Sequence, residues 1–416
     1  MSLKKIIIFI LLCCSITATL YCASIFSSNG FVEENFGVDN FGAGMGFTGI
    51  SSLFRTNFSI INPALLTTVN KTSFSSQVDF GYTIFKDSKE SYTYKVSSLP
   101  YAVMYIPVEK NTIVGISYLE KYYFGLNTAK RDSIQFVGNY LVKDQKFGSL
   151  NKFGFYIAKK IKGISLGINV NYIFGNRIND IYINYEDNDL VDTREIKEFL
   201  MDGTNISAGF TFPLKQFRFG GFVQTGAKLH SNDKYKIKYY DNSSYDYMSY
   251  TTSNYDFPMQ AGLGLGFDIN DFLYAESDIR YTFWKDLNND SLNIRNTSMI
   301  SFGLSYLPKS NFFFRVPVRI GGYYRELPSK FNDNYINEKA ITAGFDLPIM
   351  ILNQGRLSIS FAYGNRGSIG KNQYKDEFYK ISIGFASTDW WRNPQKYKKN
   401  KEIPKLVPKY KEYWDE

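Results

Sequence analysis

Residues 164–174 read ISLGINVNYIF, and this stretch decides the fold class. Every even position from Ile164 to Phe174 carries a large apolar side chain, whereas the odd positions are mostly small or polar, as at Ser165 and Asn169. A period of two places one apolar and one polar face on a single extended strand. Globular strands usually run for about five or six residues, while a tilted membrane-spanning strand needs about nine to eleven. The stretch therefore predicts a strand that crosses a bilayer.

The same alternation recurs along most of the chain. One further segment with this pattern, 133–142, breaks the order in which short turns and long polar loops alternate. A barrel with both termini in the periplasm also needs an even number of strands, so we assign 133–142 to an extracellular excursion. The sequence thus predicts an all-β fold, a transmembrane antiparallel β-barrel of about fourteen strands, within 72–386. The strands are expected at 72–84, 99–108, 112–124, 151–160, 164–174, 205–214, 217–228, 257–268, 273–284, 297–306, 312–324, 339–348, 355–364 and 377–386.

The first residues predict export across the inner membrane. Lys4 and Lys5 precede an apolar run, 6–14, and small residues follow near Ala23. This order is typical of a secretory signal peptide, and the run is too short for a comfortable membrane span. We therefore expect a signal peptide over 1–23 and a location in the bacterial outer membrane.

Cysteine usage agrees with export. All 3 cysteines of the chain lie within the predicted signal peptide. A lipoprotein signal ending at Cys22 is the alternative, but Tyr21 is bulky where such signals carry a small residue. The mature chain is therefore expected to hold neither a disulfide framework nor a thiolate metal site.

The charge balance indicates contact with lipid rather than with nucleic acid. The formal net charge of +9 is spread over loops and a lysine-rich C-terminal tail, 387–416, and no basic helix or nucleic-acid-binding motif accompanies it. We expect this periplasmic tail to lie on anionic outer-membrane lipids or to dock a periplasmic partner.

A segment before the first strand, 24–71, is predicted to plug the barrel. A fourteen-stranded barrel is too wide for its own side chains to fill and would leak without an occupant. Glycines in this segment let backbone pack closely, and an Asn-Pro pair favours a turn. The residues expected to form this plug, or hatch, are Gly44, Gly46, Gly49, Asn62, Pro63 and Ala64.

These motifs resemble the FadL/TodX family of outer-membrane transporters. The stretch GMGFTG at 44–49 and the Asn-Pro-Ala triplet at 62–64 occur in the order of that family's hatch. YAESDIRYTFW at 274–284 and VPVRIGGY at 316–323 are similar to two of its late strands. The resemblance covers about 40 to 386 and implies passive transport of long-chain fatty acids or other hydrophobic small molecules. Such cargo would enter a pocket above the hatch and leave sideways through a gap at a kinked strand, for which Gly115 is the candidate.

Other functions stay open beside transport. The chain continues about thirty residues beyond the aromatic residue of its last strand, Phe385, which departs from the family pattern. A PorV-like secretion accessory, or an adhesin, would use this tail and the long loops 175–204 and 229–256. A general porin for polar solutes is disfavoured by the plug.

Charged side chains on the predicted lumen face allow two interpretations. Glu276, Asp278 and Arg280 alternate on one strand, and Arg315 and Arg319 alternate two strands later. Buried charges normally pair, so an ion network that braces the wall is the first interpretation. In the second, Arg315 or Arg319 keeps its guanidinium donors for the carboxylate of the cargo.

No enzymatic site is predicted. The single histidine, His230, is more often an exposed loop residue than a catalytic base. Acidic clusters at 187–189 and 288–290 lack the glycine and terminal glutamate of a calcium loop. We therefore expect no cofactor and no bound metal.

Overall fold

A computed structural model of the chain describes most of the predicted barrel and its plug. The described residues are 24–26, 32–52, 57–109, 111–134, 138–186, 190–240, 246–285, 294–307, 316–349 and 355–388. The predicted signal peptide, both acidic clusters, Arg315 and nearly all of the predicted tail lie outside them. Within the described ranges no helix is long and apolar enough to cross a membrane.

The described strands form one closed antiparallel barrel of fourteen strands. Two of them are interrupted, at 225–226 and at Pro258, which has no amide hydrogen to donate to a ladder. The last strand pairs with the first from Lys375↔Lys86 to Thr388↔Ser73, which closes the sheet. The predicted fold is confirmed. The strands are β1 Ser73–Lys86, β2 Ser91–Glu109, β3 Thr112–Ile134, β4 Gly138–Ile161, β5 Ile164–Tyr185, β6 Thr193–Leu214, β7 Phe217–Gln224 with Ala227–Tyr239, β8 Asp246–Phe257 with Met259–Asp268, β9 Leu273–Phe283, β10 Thr297–Tyr306, β11 Val318–Phe331, β12 Asn334–Ile349, β13 Gly355–Gly367 and β14 Lys375–Thr388.

Several strands extend well beyond the length that a bilayer requires. β3 and β4 pair from Thr112↔Lys159 to Ile134↔Gly138, so 133–134 and 138–142 lie at the far end of one hairpin and do not form a separate membrane crossing, as expected. The predicted loops 175–204 and 229–256 are instead paired strands over most of their length. Pairing satisfies the backbone donors and acceptors of these polar segments, which the composition alone did not reveal.

The outer surface of the barrel is apolar. On β5, Leu166, Ile168 and Val170 are 47–52% exposed, whereas Asn169 and Asn171 are buried in the lumen. This is the reverse of a soluble β-sandwich, and an apolar band around a barrel is the pattern of lipid contact. Short turns such as 162–163 and 215–216 mark the periplasmic end.

The hatch runs along the lumen from the extracellular to the periplasmic end. Phe26 packs with Leu327 and Ile336 near the extracellular end, while Thr67 Oγ1 donates to Ser165 Oγ at 2.6 Å near the other. Its short elements are a strand Glu33–Glu34, a helix α1 Asn40–Ala43 and a 3₁₀ helix Pro63–Thr68.

Candidate functional site

Two carboxylates of β9 hold the hatch by its backbone. The amides of Gly49 and Ile50 donate to Asp278 Oδ2 at 2.8 and 3.1 Å. The amide and hydroxyl of Ser51 both donate to Glu276 Oε1 at 3.1 Å. Both carboxyl groups are buried, and their oxygens satisfy hatch donors that no water could reach. This part of the lumen face therefore fastens the hatch.

The arginines on the predicted lumen face also contact the hatch. Arg280 Nη2 donates to the carbonyl oxygen of Phe47. Arg319 Nη1 lies 2.5 Å from Asp346 Oδ1, and its guanidinium lies 4.3 Å from the ring centroid of Phe41. The side chain of Arg319 has no exposed area. Among the described contacts the two charged rows do not bridge to each other, because the hatch occupies the space between them.

Glycines of the wall bring it into direct contact with the hatch backbone. Gly46 has φ +71°, which favours glycine, and a Cβ there would lie 2.5 Å from the oxygen of Gly322. On the wall, a Cβ on Gly303 would lie 2.4 Å from the oxygen of Met45, and one on Gly321 would lie 2.3 Å from its carbonyl carbon. Side chains at these positions would push the hatch off the wall.

The other two predicted glycines also lie at close approaches. A Cβ on Gly44 would lie 3.1 Å from Nε of Arg319 and 3.1 Å from Cα of Gly344. One on Gly49 would lie 3.0 Å from the hydroxyl of Ser59, within the hatch itself. The GMGFTG stretch is thus a backbone-to-wall contact rather than a binding loop open to the lumen.

The Asn-Pro-Ala triplet ties the hatch to both its own chain and the wall. Asn62 Oδ1 accepts the amide of Ala64 at 3.1 Å and caps the 3₁₀ helix that begins at Pro63. Its Nδ2 donates to the carbonyl oxygens of Ile50 at 2.8 Å and of Phe210 at 3.1 Å. One fully buried amide therefore joins three segments of backbone.

The wall of the barrel is broken between β2 and β3. Their ladder runs from the periplasmic end to Tyr101↔Leu119 and, in the described part of the chain, goes no further. Beyond this level β2 pairs only with β1, and β3 pairs only with β4 and with the hatch strand Glu33–Glu34. Pro100 is the first residue of β2 past the last pair, and it has no amide hydrogen to offer either neighbour.

The position of the break corrects the prediction for Gly115. Gly115 pairs in regular register with both Tyr105 and Tyr156, so the strand does not kink there. Its missing side chain makes room for Tyr105, because a Cβ would lie 2.6 Å from the Cδ1 atom of that ring. The irregularity of β3 falls instead between Glu120 and Tyr122, where one residue bulges. Pro100, a proline inside a long strand, is the sequence feature that could have located the break.

Ion pairs hold the upper hatch beside this break. Glu34 Oε1 lies 2.6 Å from Lys121 Nζ, and Glu34 Oε2 lies 3.5 Å from Arg325 Nη1. Burial alone would raise the pKa of the Glu34 carboxyl, but these two cations hold that pKa below its ordinary value. Glu33 Oε1 lies 2.5 Å from Arg366 Nη1. Charged side chains therefore hold the upper hatch in addition to its short backbone ladder with β3.

Arg325 and Arg366 belong to a buried network that the sequence analysis did not single out. Arg325 binds Glu338 through two hydrogen bonds of 2.8 and 2.9 Å, and Arg366 Nε donates to the same carboxylate at 2.6 Å. All three residues occupy lumen-facing positions of their strands. The alternation of each strand could have placed them in the lumen, but not shown that they meet.

A small cavity lies between the hatch and the part of the wall formed by β1, β2 and β11 to β14. Its volume is about 70 Å³. Aromatic rings form part of its wall: the centroids of Phe36 and Phe47 are 5.1 Å apart, and those of Phe47 and Tyr323 are 5.5 Å apart. Asp79 and Ser98, which pair across β1 and β2 just beyond Pro100, line the same cavity. The cavity is thus aromatic on one side and polar toward the break.

The described ranges are predicted to hold no metal site and only one histidine. No group of three or more His, Cys, Asp or Glu residues there could hold a metal ion. His230 is an exposed strand residue that pairs with Asp202 and Asn254.

Comparison with known proteins gives one sequence family and a clear fold. A family model described as BamG matches residues 1–398, and no curated protein matches significantly. The CymD monoaromatic hydrocarbon channel aligns with a TM-score of 0.59 at 12% identity, over 86% of this chain and 99% of that chain. A Pseudomonas aeruginosa FadL homologue aligns with a TM-score of 0.57 at 14% identity, over 86% and 99%. The Ralstonia pickettii toluene transporter TbuX aligns with a TM-score of 0.59 at 12% identity, over 85% and 98%. At these identities the likeness shows the fold alone.

Proposed function

The chain belongs to the BamG family, and we propose that it lets hydrophobic small molecules pass passively from outside the cell into the outer membrane. The observation that carries this proposal is the break between β2 and β3 beside the aromatic cavity. Every other strand pair of the described barrel is joined by a continuous or locally bulged ladder, which gives a molecule no way through the wall.

The level of the break suits lateral exit into lipid. Leu119 stands seven residues above Thr112 at the periplasmic end of β3. At about 3.3 Å per residue and a tilt of roughly 40°, the break begins about 18 Å up the wall, within an apolar band about 25 Å tall. A molecule leaving the cavity there would enter the outer leaflet. No energy source is required, because partition into lipid is favourable for apolar molecules.

The size of the cavity favours small cargo. A volume of about 70 Å³ is well below the roughly 300–1,000 Å³ of sites for drug-sized ligands. The similar channels CymD and TbuX are named for monoaromatic hydrocarbons and toluene. We propose single-ring or similarly small hydrophobic molecules as the cargo that needs least rearrangement. Long-chain fatty acids would pass only after the upper hatch moves.

A reversible cross-link tests the exit. The side chains of Ser98 and Glu120 flank the break and are buried, and the mature chain is expected to have no cysteine of its own. In the variant Ser98→Cys with Glu120→Cys, oxidation should reduce toluene uptake to the level of cells without the protein, and reduction should restore it. The control is Val103→Cys with Ser117→Cys, a facing pair in the continuous part of the same two strands. If the two oxidised variants take up toluene equally well, the lateral exit is wrong.

A second function is favoured by the extracellular strand extensions. Tyr247 and Tyr250 on β8 are 55% and 70% exposed, and Leu200 on β6 is 55% exposed. Large exposed apolar side chains beyond the membrane are typical of surfaces that bind other proteins. We propose as an alternative that these hairpins form the docking surface of a non-enzymatic interaction barrel, such as a secretion accessory.

Shortening one hairpin separates the two functions. Replacing 234–250 with a short glycine-serine turn removes part of β7 and β8 above the membrane and leaves the break and the cavity intact. An interaction barrel should lose a co-purifying protein in this variant while toluene uptake stays unchanged. If the full-length protein and the variant co-purify with the same proteins, the hairpins are not the docking surface.

A further inference from the structure

The lipid-facing surface of the barrel carries a large groove on the outer side of the wall that borders the small cavity, and the two share lining residues such as Gly81 and Ala362. It extends across six strands, from β11 through the closing pair β14–β1 to β2, and has a volume of about 1160 Å³. Its lining includes outward side chains such as Ile320 and Ile341, which are 61% and 65% exposed, and Phe361, which is 44% exposed. The lumen faces of the same strands point toward the hatch, so this concavity lies outside the barrel.

The wall curves inward here because its lumen side is built from small residues. Gly81, Gly321 and Ala362 contribute to the floor of the groove. Gly321 approaches the hatch so closely that a Cβ would lie 2.3 Å from the carbonyl carbon of Met45. Lack of side-chain bulk on the inner face draws the wall onto the hatch and leaves a hollow on the outer face.

A row of tyrosines forms the centre of the groove. The rings of Tyr82 and Tyr379 are stacked, with centroids 4.7 Å apart and planes 19° apart, and Tyr363 follows with its centroid 4.8 Å from that of Tyr379. These rings lie on β1, β14 and β13 and touch one another across the ladder. Stacked aromatic rings offer a stiff apolar surface that needs little further ordering to bind an alkyl chain.

Lysines surround the groove on its extracellular side. Lys95 pairs across the ladder with Tyr82. Lys339 lies two residues before Ile341 in the chain, closer to the extracellular end and on the same outward face of β12. Both side chains are exposed, and neither has an ion pair within the described part of the chain. Lys86 and Lys375 share one carboxylate, that of Glu377, at 2.6 and 2.8 Å. Four lysines against one glutamate leave a charge of +3, and the turn 87–90, with one lysine and two acids, lowers it to +2.

The lysines lie at the depth of lipid head groups. Tyr82 stands nine residues above Ser73 at the start of β1, or about 23 Å up a strand tilted by roughly 40°, near the top of an apolar band about 25 Å tall. Lysine at such a level extends its ammonium group to the interface while its stem stays in apolar surroundings. A basic edge above an apolar groove matches a molecule with alkyl chains below and phosphate above.

We infer that this groove binds a phosphorylated lipid of the outer leaflet, with acyl chains on the tyrosine row and one phosphate group at each of Lys95 and Lys339, which stand on β2 and β12 at opposite sides of that row. The inference does not depend on the proposed transport. The same strand β2 that closes one side of the groove forms one edge of the break, so the bound lipid would lie beside the proposed exit and would stiffen the strand there.

Lipid binding by charge variants tests the inference. Full-length protein purified in detergent is mixed with diphosphorylated lipid A or with its dephosphorylated form, and bound lipid is counted by native mass spectrometry. Lys95→Gln with Lys339→Gln should weaken binding of the diphosphorylated lipid by roughly tenfold to thirtyfold, because each lysine near a membrane surface contributes about a factor of five. Binding of the dephosphorylated lipid should change little.

A matched control and a filled groove complete the test. Lys159→Gln with Lys162→Gln removes the same charge at the periplasmic end and should leave binding unchanged. Ala343→Trp places a large ring in the groove and should displace the lipid, while the gel shift between unboiled and boiled protein shows that the barrel is folded. Equal weakening in both lysine pairs, full binding in Ala343→Trp, or a second copy of the chain covering the groove with no lipid present would each overturn the inference.

Discussion

The lower and upper parts of the hatch are held in the barrel by different kinds of contact. The lower part, 39–52 and 57–69, lies with its backbone directly on wall glycines and donates its amides to Glu276 and Asp278. The upper part, 24–26 and 32–36, has one short backbone ladder with β3 and is otherwise held by charged side chains, such as Glu34 with Lys121. Backbone contacts cannot be exchanged one at a time, whereas an ion pair can open by the rotation of a side chain. The difference predicts that the lower part of the hatch is a fixed floor of the lumen and that the upper part, beside the break in the wall, can move.

Removing the hatch altogether should produce the largest effect. Apart from the break between β2 and β3, the wall of the barrel satisfies its own backbone hydrogen bonds, and the pairing of β14 with β1 closes it without the hatch. A variant lacking 25–66 should therefore insert as a folded barrel and conduct ions in a planar bilayer, in contrast to the full chain. A variant that inserts normally but stays electrically closed would show that 24–71 is not the plug.

Arg319→Met should cost more stability than any other single change considered for the lower lumen. It removes the nearer cation of Asp346 and leaves Arg356 Nη1 at 3.9 Å from that carboxylate, and breaking a buried ion pair typically costs about 3–5 kcal/mol. We expect a marked fall in the temperature at which the barrel unfolds in a gel-shift assay. Binding of a fatty acid and of the matching alcohol should weaken equally. A selective loss of fatty-acid binding with unchanged unfolding temperature would instead make Arg319 a contact of the cargo carboxylate.

Neutralising the two carboxylates of β9 tests the fixed floor. Glu276→Gln with Asp278→Asn keeps the shapes of the side chains but replaces one accepting oxygen of each by a donating NH2 group, which weakens acceptance from the hatch, where each hydrogen bond contributes roughly 0.5–1.5 kcal/mol. We expect brief channel openings in single-channel recordings, with the barrel still folded. Glu195→Gln, in the extracellular extension of β6, is the control and should remain closed. If neither variant shows channel openings, the contacts with the wall glycines are enough to hold the lower hatch in place.

Acid should loosen the upper hatch by a smaller amount. The pKa of Glu34 is lowered in the folded protein, so its contribution to stability is present above the ordinary carboxylate pKa and is lost as the pH falls through the lowered value. Toluene uptake or hydrogen exchange at the hatch strand should therefore increase at low pH. Glu34→Gln should show the loosened behaviour at neutral pH and lose most of this pH dependence. Identical pH profiles would assign the response to other groups.

The lower hatch can be predicted from sequence better than the contacts of the upper hatch. Gly44, Gly46, Asn62 and Pro63 can be singled out from the sequence because glycine and Asn-Pro mark places with a special backbone requirement. In the structure Gly44 lies close to the wall, Gly46 has a positive φ, and Asn62 caps the 3₁₀ helix that begins at Pro63. Lys121 and Arg325 were not identified, because their significance arises only when strands far apart in sequence bring them to Glu34.

The lumen carboxylates show where local pattern is incomplete. Alternation predicts that Glu276 and Asp278 face the lumen, and both side chains are buried in the structure. Their partners were expected on β11, yet they are hatch amides. The side of the sheet that a residue faces follows from the alternation within one strand. The group that it binds depends on what occupies the lumen opposite.

The sequence by itself determined the barrel: its strands, their number, the apolar outer face and the order of turns. Each of these follows from a period of two in residues that touch lipid or lumen, which is a local and repeated constraint. The tertiary structure decided which wall groups bind the hatch and where the ladder between β2 and β3 ends, at Pro100. It also decided that the outer face of the wall carries a groove beside Tyr379. These features depend on which distant groups meet, because a register, an ion pair or a curvature is fixed only once the sheet has closed around its plug.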